Sequence, residues 1–315
     1  MIHANKVTVT GCNGFVGQAL CKYLCNINYD VIGTVRDDSR SISDYKCVSL
    51  GGIDSDTDWS PALRGRNTVV HLAGRAHVLR DRFNSPINEF RRVNTLGTIN
   101  LARQAIEHGI SRFIFISSIG VNGFVSKGTP FSVDSHEAPH SPYAISKFEA
   151  ELSLKKLVSN TPMELVIIRP PAIYGESAPG NFGLITKAIN KGIPLPFANI
   201  NNKRSLIYLH NLTSFIEVCI MSDQAANRLF IVDDNEDLST PDIINVMGSF
   251  TDKNPKIINI PKWFLRLTFG ILGRKKTGDS LLSDLQLDSG YAREVLNWVP
   301  PYNPRNFITS MNKKI

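Results

Sequence analysis

Short apolar runs alternate with longer amphipathic stretches along most of the chain. The stretches between the runs have the apolar spacing of helices, as at 18–25. Strands that alternate with helices predict an α/β fold with a doubly wound parallel sheet. The apolar runs that we interpret as buried strands are 6–10, 30–36, 67–75, 111–118 and 164–169, with a late strand at 228–234.

Length and composition narrow the class of protein. The chain has 315 residues and is 42% hydrophobic, which is enough for one or two domains with a sizeable core. No apolar run reaches the roughly 18 residues that a membrane span needs, and the first residues run straight into a strand, so we expect no signal peptide. The five cysteines are odd in number and contain no Cys-x-x-Cys pair. This predicts reduced thiols, a cytoplasmic protein and no metal site.

The net charge of +7 favours an anionic substrate or cofactor. Such a charge also permits nucleic acid as a partner. The sequence has no zinc finger, no RNA-binding aromatic motif and no long Lys/Arg block, so we do not expect nucleic acid.

The first strand is followed by a glycine pattern, Gly11-x-x-Gly14-x-x-Gly17, and then by a helix. This is the context that a dinucleotide-binding loop requires. We expect Gly11 to permit a tight turn, Gly14 to let the backbone approach a pyrophosphate, and Gly17 to let the helix pack on the sheet. The helix N-terminus then holds the anion. The predicted cofactor-binding loop also includes Asn13, Phe15 and Val16.

The end of the second strand carries charges of both signs. Arg36 comes first and Asp37 follows it. An acidic residue here is typical of an NAD site, whereas an arginine can bind the 2′-phosphate of NADP. Arg36 therefore favours NADP(H), although Asp37 could still hold a ribose. A loop of mixed, solvated charge is the alternative interpretation.

The strand at 67–75 ends in small residues. Ala73 and Gly74, with Leu72, would let the cofactor lie close over the sheet edge, whereas we interpret His71 as a satisfied core histidine. Asn94 is a polar residue in a helix that otherwise packs. It could anchor the backbone or a water near the active site, or it could only make a local helix hydrogen bond.

The next strand ends at Ser118, and Tyr143 and Lys147 follow on a helix that begins near Pro142. The spacing of four puts Tyr143 and Lys147 on one helix face. An ammonium near the phenol should lower the pKa of Tyr143 toward the working pH, as a general acid/base requires. A solvated helix face is the alternative, because Tyr-x-x-x-Lys pairs occur often by chance.

Together these residues resemble the extended short-chain dehydrogenase/reductases, specifically the NAD-dependent epimerase/dehydratase branch that acts on nucleotide sugars. The resemblance implies a Rossmann-type fold, with Tyr143 as the catalytic acid/base and Lys147 as its ribose-binding partner. It also implies that Ser118 holds the substrate oxygen and that Asn94 is the structural Asn near the cofactor. The motifs that carry it are the three glycines, His71-Leu-Ala-Gly74, Asn94 in Val-Asn-Thr-Leu-Gly-Thr, Ser118, Tyr143-x-x-x-Lys147 and Arg169-Pro170-x-x-x-Tyr174-Gly175.

The resemblance extends to the substrate and the domain plan. It implies a dinucleotide-binding domain at 1–171, with a returning segment at about 205–234, and a smaller C-terminal substrate lobe from 172–204 and 235–315. A UDP-sugar substrate and a homodimer are expected. Further residues that we assign are Pro170 to the cofactor and Arg75, Asn122, Asn181 and Arg204 to the substrate.

Two segments depart from the pattern or allow two interpretations. His210 stands where many relatives carry Asp, since a usual Val-x-Asp-Leu becomes Leu-His-Asn-Leu, and its role is open. The segment 261–276 is apolar with a basic end and could lie on a membrane surface. A helix packed on the small lobe is the interpretation that the resemblance favours, so no membrane partner is expected.

Hydride transfer at C4 of a UDP-hexose or UDP-N-acetylhexosamine is the chemistry implied. No acid follows Ser118 directly, which disfavours a 4,6-dehydratase. Arg36 favours an NAD(P)H-dependent 4-keto reductase of the UDP-N-acetylquinovosamine type, which makes precursors of surface polysaccharides. The alternatives are a UDP-glucose or UDP-N-acetylglucosamine 4-epimerase with bound NAD, and a non-catalytic dinucleotide-sensing module.

Overall fold

The structure, a computed structural model, describes residues 5–37, 44–76, 85–273 and 275–312. Seven parallel strands form one sheet in the order β3-β2-β1-β4-β5-β6-β10. Two small two-stranded sheets lie outside it, one of β7 with β9 and one of β8 with β11. The strands are β1 (Lys6–Thr10), β2 (Asp30–Val35), β3 (Lys46–Ser49), β4 (Thr68–His71), β5 (Arg112–Ile116), β6 (Glu164–Arg169), β7 (Ile173–Tyr174), β8 (Arg204–Ser205), β9 (Ile207–Tyr208), β10 (Leu229–Ile231) and β11 (Asp237–Leu238).

Helices connect the parallel strands and cover both faces of the sheet. Two short 3₁₀ segments lie at Ile119–Val121 and Asp223–Ala225, and a π-helix spans Arg91–Leu96. The α-helices are α1 (Phe15–Asn26), α2 (Ser60–Leu63), α3 (Pro86–Phe90), α4 (Gly97–Glu107), α5 (Pro142–Val158), α6 (Gly180–Asn190), α7 (Leu209–Met221), α8 (Thr240–Ser249), α9 (Lys262–Ile271), α10 (Lys275–Leu282), α11 (Gly290–Leu296) and α12 (Pro304–Asn312). None of the helices in the described ranges is long and apolar enough to cross a membrane.

The order of the strands reverses at β1, which lies between β2 and β4. In a doubly wound sheet, ligands bind at this reversal, beyond the carboxyl ends of the strands. The α/β, doubly wound prediction is therefore confirmed, and so is the late strand that returns beside β6. The edge strand β3 was not predicted, because its short run of mixed residues has no clear apolar pattern.

Two apolar cores lie on the two faces of the sheet. One packs α1 and α7 against the strands and includes Leu20, Val70 and Phe215. The other packs α4 and α5 against the opposite face and includes Leu101, Phe113 and Leu154. Because strand residues alternate between faces, Val70 and Val69 belong to different cores.

A third core lies outside the sheet and is built from residues of β7, α6, α8, α9 and the last helix. It includes Tyr174, Ile185 and Met247. Its residues fall within the segments that the sequence analysis assigned to 172–204 and 235–315, together with parts of the returning segment. We propose that this third core is the core of the smaller substrate lobe.

Candidate active site

The glycine loop turns sharply between β1 and α1. Gly11 has a φ of +69°, which side chains other than glycine rarely adopt, and its N–H and that of Cys12 donate to Thr34 O of β2. Gly14 N donates to Gly11 O at 2.9 Å. The turn aims the N-terminus of α1 at the carboxyl edge of the sheet, where a helix N-terminus can bind an anion.

Gly17 explains why α1 lies so close to the loop. A Cβ at this position would lie 2.2 Å from Gly11 O and 2.8 Å from Cys12 Cα. No side chain fits in that space. The packing role predicted for Gly17 therefore agrees with the geometry.

A cavity of about 530 Å³ opens at the carboxyl ends of β1, β2 and β4. It adjoins the glycine loop and the end of β2, and its walls combine backbone N–H groups, small residues and the arginines Arg36, Arg75 and Arg92. These features fit a dinucleotide, because the glycines would admit its pyrophosphate and Arg36, at the end of β2, would face its ribose. The predicted residues that line it are Gly11, Asn13, Gly14, Arg36, Leu72, Ala73, Gly74 and Arg75.

The same cavity has walls that the sequence analysis missed. The segment after β3 forms one side, and Asp54 within it pairs with Arg92 of the π-helix at 3.1 Å. Recognising β3 as a strand would have placed this segment at the carboxyl edge of the sheet. The missed lining residues are Thr34, Val35, Leu50, Gly51, Gly52, Ile53, Asp54, Trp59, Ala76, Arg92 and Val93.

Phe15 and Val16 lie at the start of α1 but pack into the apolar cores. Phe15 contacts the third core and Val16 the core around α7. Pro170 O accepts a hydrogen bond from Ile119 N at 3.0 Å, which fixes the segment after Ser118. Phe15, Val16 and Pro170 are not among the described residues that line the cavity. Their assignment to the cofactor stays a prediction.

Asn94 is buried in the π-helix and anchors the backbone, one of the two roles considered for it. Its Oδ1 accepts from Arg75 N at 2.7 Å, and its Nδ2 donates to Arg75 O and to Ser146 Oγ, both at 3.1 Å. Ser146 belongs to the helix of Tyr143. Asn94 therefore ties the loop after β4 to that helix. The extra residue per turn of a π-helix is frequent at such functional positions.

His71 is a satisfied core histidine, as predicted. Its Nδ1 lies 2.7 Å from Thr10 Oγ1 and its Nε2 lies 2.9 Å from Thr98 Oγ1. Burial, together with the nearby charge of Lys147, lowers the pKa of His71 to about 3. The ring is therefore neutral at pH 7 and links β4 to β1 and α4.

Ser118, Tyr143 and Lys147 come together at the carboxyl ends of β5 and β4. The Ser118 side chain hydrogen-bonds the Tyr143 phenol, and Ser118 Oγ also accepts from Gly120 N at 3.1 Å. Lys147 Nζ donates to Ile116 O at 2.8 Å. A Cβ built on Gly74 would lie 3.7 Å from Lys147 Nζ, so the lysine lies beside the cavity wall.

The predicted lowering of the Tyr143 pKa is wrong for this structure. Burial raises the pKa of Tyr143 to about 12, and the hydrogen bond with Ser118 opposes this only in part. The ammonium of Lys147 is held by Ile116 O and stands 4.5 Å from the centre of the Phe115 ring. Burial lowers the pKa of Lys147 to about 8, while Glu151 raises it. Tyr143 is therefore a neutral phenol at pH 7, which is the proton-donating form.

Behind these residues lies a buried ionic network that the sequence analysis did not find. Arg169 is fully buried at the end of β6. Its Nη2 lies 2.5 Å from Glu151 Oε2 and 3.1 Å from Glu137 Oε1. Ser117 Oγ also donates to Glu151. Glu151 lies eight residues after Tyr143 on the same face of α5, so the network fixes the rotation of that helix.

Asn122 joins this network. Its Oδ1 accepts from Arg169 Nη1 and its Nδ2 donates to Ser135 O, both at 3.0 Å. Asn122 is buried, and its amide holds the segment after Ser118 in place. The substrate contact assigned to it stays a prediction.

Arg75, Asn181 and Arg204 lie in three different places. The guanidinium of Arg75 stands over the Phe90 ring at the cavity wall. Asn181 is exposed at the start of α6, where its Nδ2 donates to Ser280 Oγ at 3.1 Å. Arg204 is buried and donates to Ser283 O at 3.0 Å, and burial lowers its pKa to about 10. Their substrate contacts also stay predictions.

The stretch around His210 contains a different buried polar residue. His210 is exposed, with its ring 5.2 Å from that of Tyr208. Asn211 is buried, and its Nδ2 donates to Asp234 Oδ1 at 2.7 Å. Asn211 is also the residue that aligns with the Asp of Val-x-Asp-Leu, so the position of interest is Asn211 rather than His210. An amide here avoids adding another carboxylate beside Asp234, whose pKa is raised to about 7 by burial and, to a smaller extent, by Asp233.

Solved structures of nucleotide-sugar enzymes share this fold over nearly their whole length. MoeE5 in complex with UDP-glucose and NAD superposes with a TM-score of 0.76 at 19% identity, covering 98% of both chains. UDP-glucuronic acid 4-epimerase from Bacillus cereus in complex with NAD superposes with a TM-score of 0.76 at 20% identity, covering 96% of both chains. At these identities the likeness establishes the fold.

Sequence comparison reaches further. The chain is 40% identical to UDP-glucose 4-epimerase of Vibrio cholerae over 299 residues, which cover 94% of this chain and 91% of the relative. It is 28% identical to the N-acetyl-alpha-D-glucosaminyl-diphospho-ditrans,octacis-undecaprenol 4-epimerase of Escherichia coli O157:H7, over 85% of this chain and 78% of the relative.

Residues 7–246 match the NAD dependent epimerase/dehydratase family, which is the branch that the motifs resemble. These matches support an NAD-dependent enzyme with nucleotide-sugar epimerase/dehydratase-type activity. They do not confirm the 4-keto reductase that Arg36 favoured. With its Rossmann-type sheet and its Ser118, Tyr143 and Lys147 in place, the chain belongs to the NAD dependent epimerase/dehydratase family of extended short-chain dehydrogenase/reductases.

Proposed function

We propose that the protein is a 4-epimerase that interconverts UDP-glucose and UDP-galactose, or their N-acetylated amines, with bound NAD. The observation that carries this proposal is the 40% identity to a UDP-glucose 4-epimerase over 94% of the chain. The geometry supports it, because a neutral phenol, a hydroxyl and a buried ammonium converge beside the cavity.

Each of these side chains has a distinct part in the reaction. NAD, when bound in the cavity, supplies the hydride chemistry at C4. Ser118, through its hydroxyl, holds the sugar oxygen beside the Tyr143 phenol. Tyr143 accepts the proton of the C4 hydroxyl during oxidation as its phenolate, which positive charge beside the ring favours, and it returns that proton from the neutral phenol during reduction. Lys147, next to Gly74, holds the cofactor ribose and contributes positive charge beside the site.

Tyr143→Phe tests the proton transfer. We expect it to abolish interconversion of UDP-glucose and UDP-galactose, followed by proton NMR without added reduced cofactor, while NAD binding stays near normal. The ring is kept and only the hydroxyl is lost, so the fold should not change. Turnover like that of the wild type would contradict the assignment of Tyr143.

A second candidate is the NADP(H)-dependent 4-keto reductase, which one observation favours. Arg36 is exposed and lines the cavity at the end of β2, where it could bind a 2′-phosphate. Releasing and identifying the cofactor that copurifies with the protein separates the two. Stoichiometric NAD supports the epimerase. An empty site that binds NADPH, with affinity lost in Arg36→Ala but unchanged for NADH, supports the reductase.

We further propose that the protein is a cytoplasmic homodimer. Leu96 ends the π-helix and Leu152 lies on α5, and each side chain is about half exposed. These two helices contact each other. Their exposure suits a helix-to-helix contact with a second copy that includes the Tyr143 helix. The five cysteines are free, which suits a reducing compartment. Light scattering of wild type and Leu152→Glu tests the dimer, since the variant should be monomeric.

A further inference from the structure

Helix α9 is apolar on two different faces. Leu265 is buried in the third core, and Phe269 packs against that core from the next turn. This is the packing on the small lobe that the sequence favoured. Because these two residues recur at a spacing of four, they define the inward face of the helix.

The outward face of α9 carries an exposed apolar stripe. Trp263, Leu267 and Ile271 also recur at a spacing of four, with 68%, 53% and 76% of their surfaces exposed. Phe264 and Leu272 extend the stripe and are exposed as well. Single exposed apolar residues are ordinary, but four on one short helix and a fifth directly after it form a patch of the kind that is typical of interaction sites.

Cations border this stripe. Lys262 and Arg266 are exposed on the same helix, on the side next to Trp263. The sequence adds Arg274, Lys275 and Lys276 immediately after the helix, and the whole chain has a net charge of +7. No acidic residue occurs in 262–276. An apolar stripe whose own segment carries only positive charges complements a surface that is apolar inside and anionic outside.

We propose that the outward face of α9 docks the protein on an anionic lipid bilayer. The helix has 10 residues and is therefore about 15 Å long, half of the roughly 30 Å hydrocarbon core, so it lies in the interface rather than across it. Trp263 sits at the level of the headgroups with the aliphatic side chains below it, and the cations contact lipid phosphates. The proposal goes beyond the epimerase activity and does not depend on it.

The tryptophans of the chain allow a direct test with the intact protein. Trp59 and Trp298 are buried, so Trp263 is the exposed one of the three in the sequence. We expect vesicles of phosphatidylcholine with phosphatidylglycerol to shift the emission of Trp263 to shorter wavelength and to sediment the protein. Raising the salt concentration should weaken this binding, and vesicles of phosphatidylcholine alone should bind less.

Two matched variants separate the stripe from exposed apolar residues in general. Leu267→Glu should lower binding to the anionic vesicles by about tenfold or more, because it puts a carboxylate in the lipid interface. Val299→Glu makes the same change at a 70% exposed apolar residue next to Trp298, which packs in a different core, and should bind as wild type does. Arg266→Glu should weaken binding to the anionic vesicles, and the binding that remains should depend less on the salt concentration.

Three results would overturn the proposal. The first is an absence of vesicle binding by the folded wild type. The second is equal binding by Leu267→Glu and Val299→Glu. The third is a Leu267→Glu variant that loses a dimer in light scattering without vesicles, which would make a second copy the occupant of this face. Epimerase turnover in solution should be unchanged in all three variants, so failure of the proposed activity would be recognised separately.

Discussion

The two halves of the site at the carboxyl edge of the sheet are built in different ways. The cofactor half, at β1, β2 and β4, is made of glycines, backbone N–H groups and small side chains. The other half, at β5, β6 and α5, is where we propose that the proton is transferred, and we call it the proton-transfer half. It is made of buried charged and polar side chains that hold one another. The first half depends on space and the second on compensation of charge.

The difference has a physical reason. A dinucleotide needs close approach of the main chain, which any side chain would block. The proposed proton transfer needs a hydroxyl, a phenol and an ammonium in fixed positions. In a buried site, such groups are held by partners of opposite charge or by hydrogen bonds. Each half should therefore fail in its own way when it is altered.

The largest effect is expected for Glu151→Ala. Removing this carboxylate leaves the fully buried Arg169 without its main partner, so we expect a loss of about 3–5 kcal/mol in the free energy of unfolding. Urea denaturation measures it. Glu149→Ala on the same helix is the control, because solvent screens its surface pair with Arg91 and the loss should be much smaller. Equal losses in the two variants would mean that the network does not hold the proton-transfer half.

The next largest effect is expected for Gly17→Ala in the cofactor half. The added Cβ would meet Gly11 O at 2.2 Å, so the loop and α1 must move apart at a cost of about 1–3 kcal/mol. NAD binding should weaken as well, since the loop moves. Titration calorimetry and denaturation measure the two losses.

Gly270→Ala is the matched control for that substitution. A Cβ at Gly270 would have no heavy atom within 4 Å, and alanine favours a helix, so α9 should gain up to about 1 kcal/mol. A loss of stability in this variant, or unchanged stability and NAD binding in Gly17→Ala, would show that space does not govern the glycine loop.

The smallest effect concerns the pH dependence of stability. Burial lowers the pKa of Lys147 from 10.5 to about 8. Between these values the unfolded chain binds more protons than the folded one, so Lys147 makes stability rise with pH by at most about 1.4 kcal/mol per unit. Lys147→Met should remove this rise. Denaturation of both proteins from pH 8 to 10 tests it, and identical profiles would contradict the burial of the ammonium.

The sequence predicted the glycine turn and the small residues that line the cavity, because both are local features. The spacing of Gly11, Gly14 and Gly17 after a strand determines the turn, and the small residues Ala73 and Gly74 end the neighbouring strand. The segment 51–54 was missed because β3 is a short, half-buried edge strand, so no apolar run marked it.

The proton-transfer half was predicted only in part. The spacing of Tyr143 and Lys147 and the position of Ser118 are local features and were found. The partners of Arg169 come from segments 18 to 47 residues away, and nothing in the sequence shows that they meet. The sign of the Tyr143 pKa shift was missed for a similar reason, since it depends on burial and on where the Lys147 ammonium is held.

Tyr143, Lys147 and Glu151 stand at successive turns along one face of α5, and each has a different kind of partner. The rotation of this helix about its axis therefore determines where the phenol, the ammonium and the carboxylate all lie. Inserting one residue between Tyr143 and Glu151 would rotate one against the other by about 100°. We therefore expect the protein to tolerate an inserted or deleted residue in its surface loops, whereas one within α5 should abolish the arrangement of all three side chains.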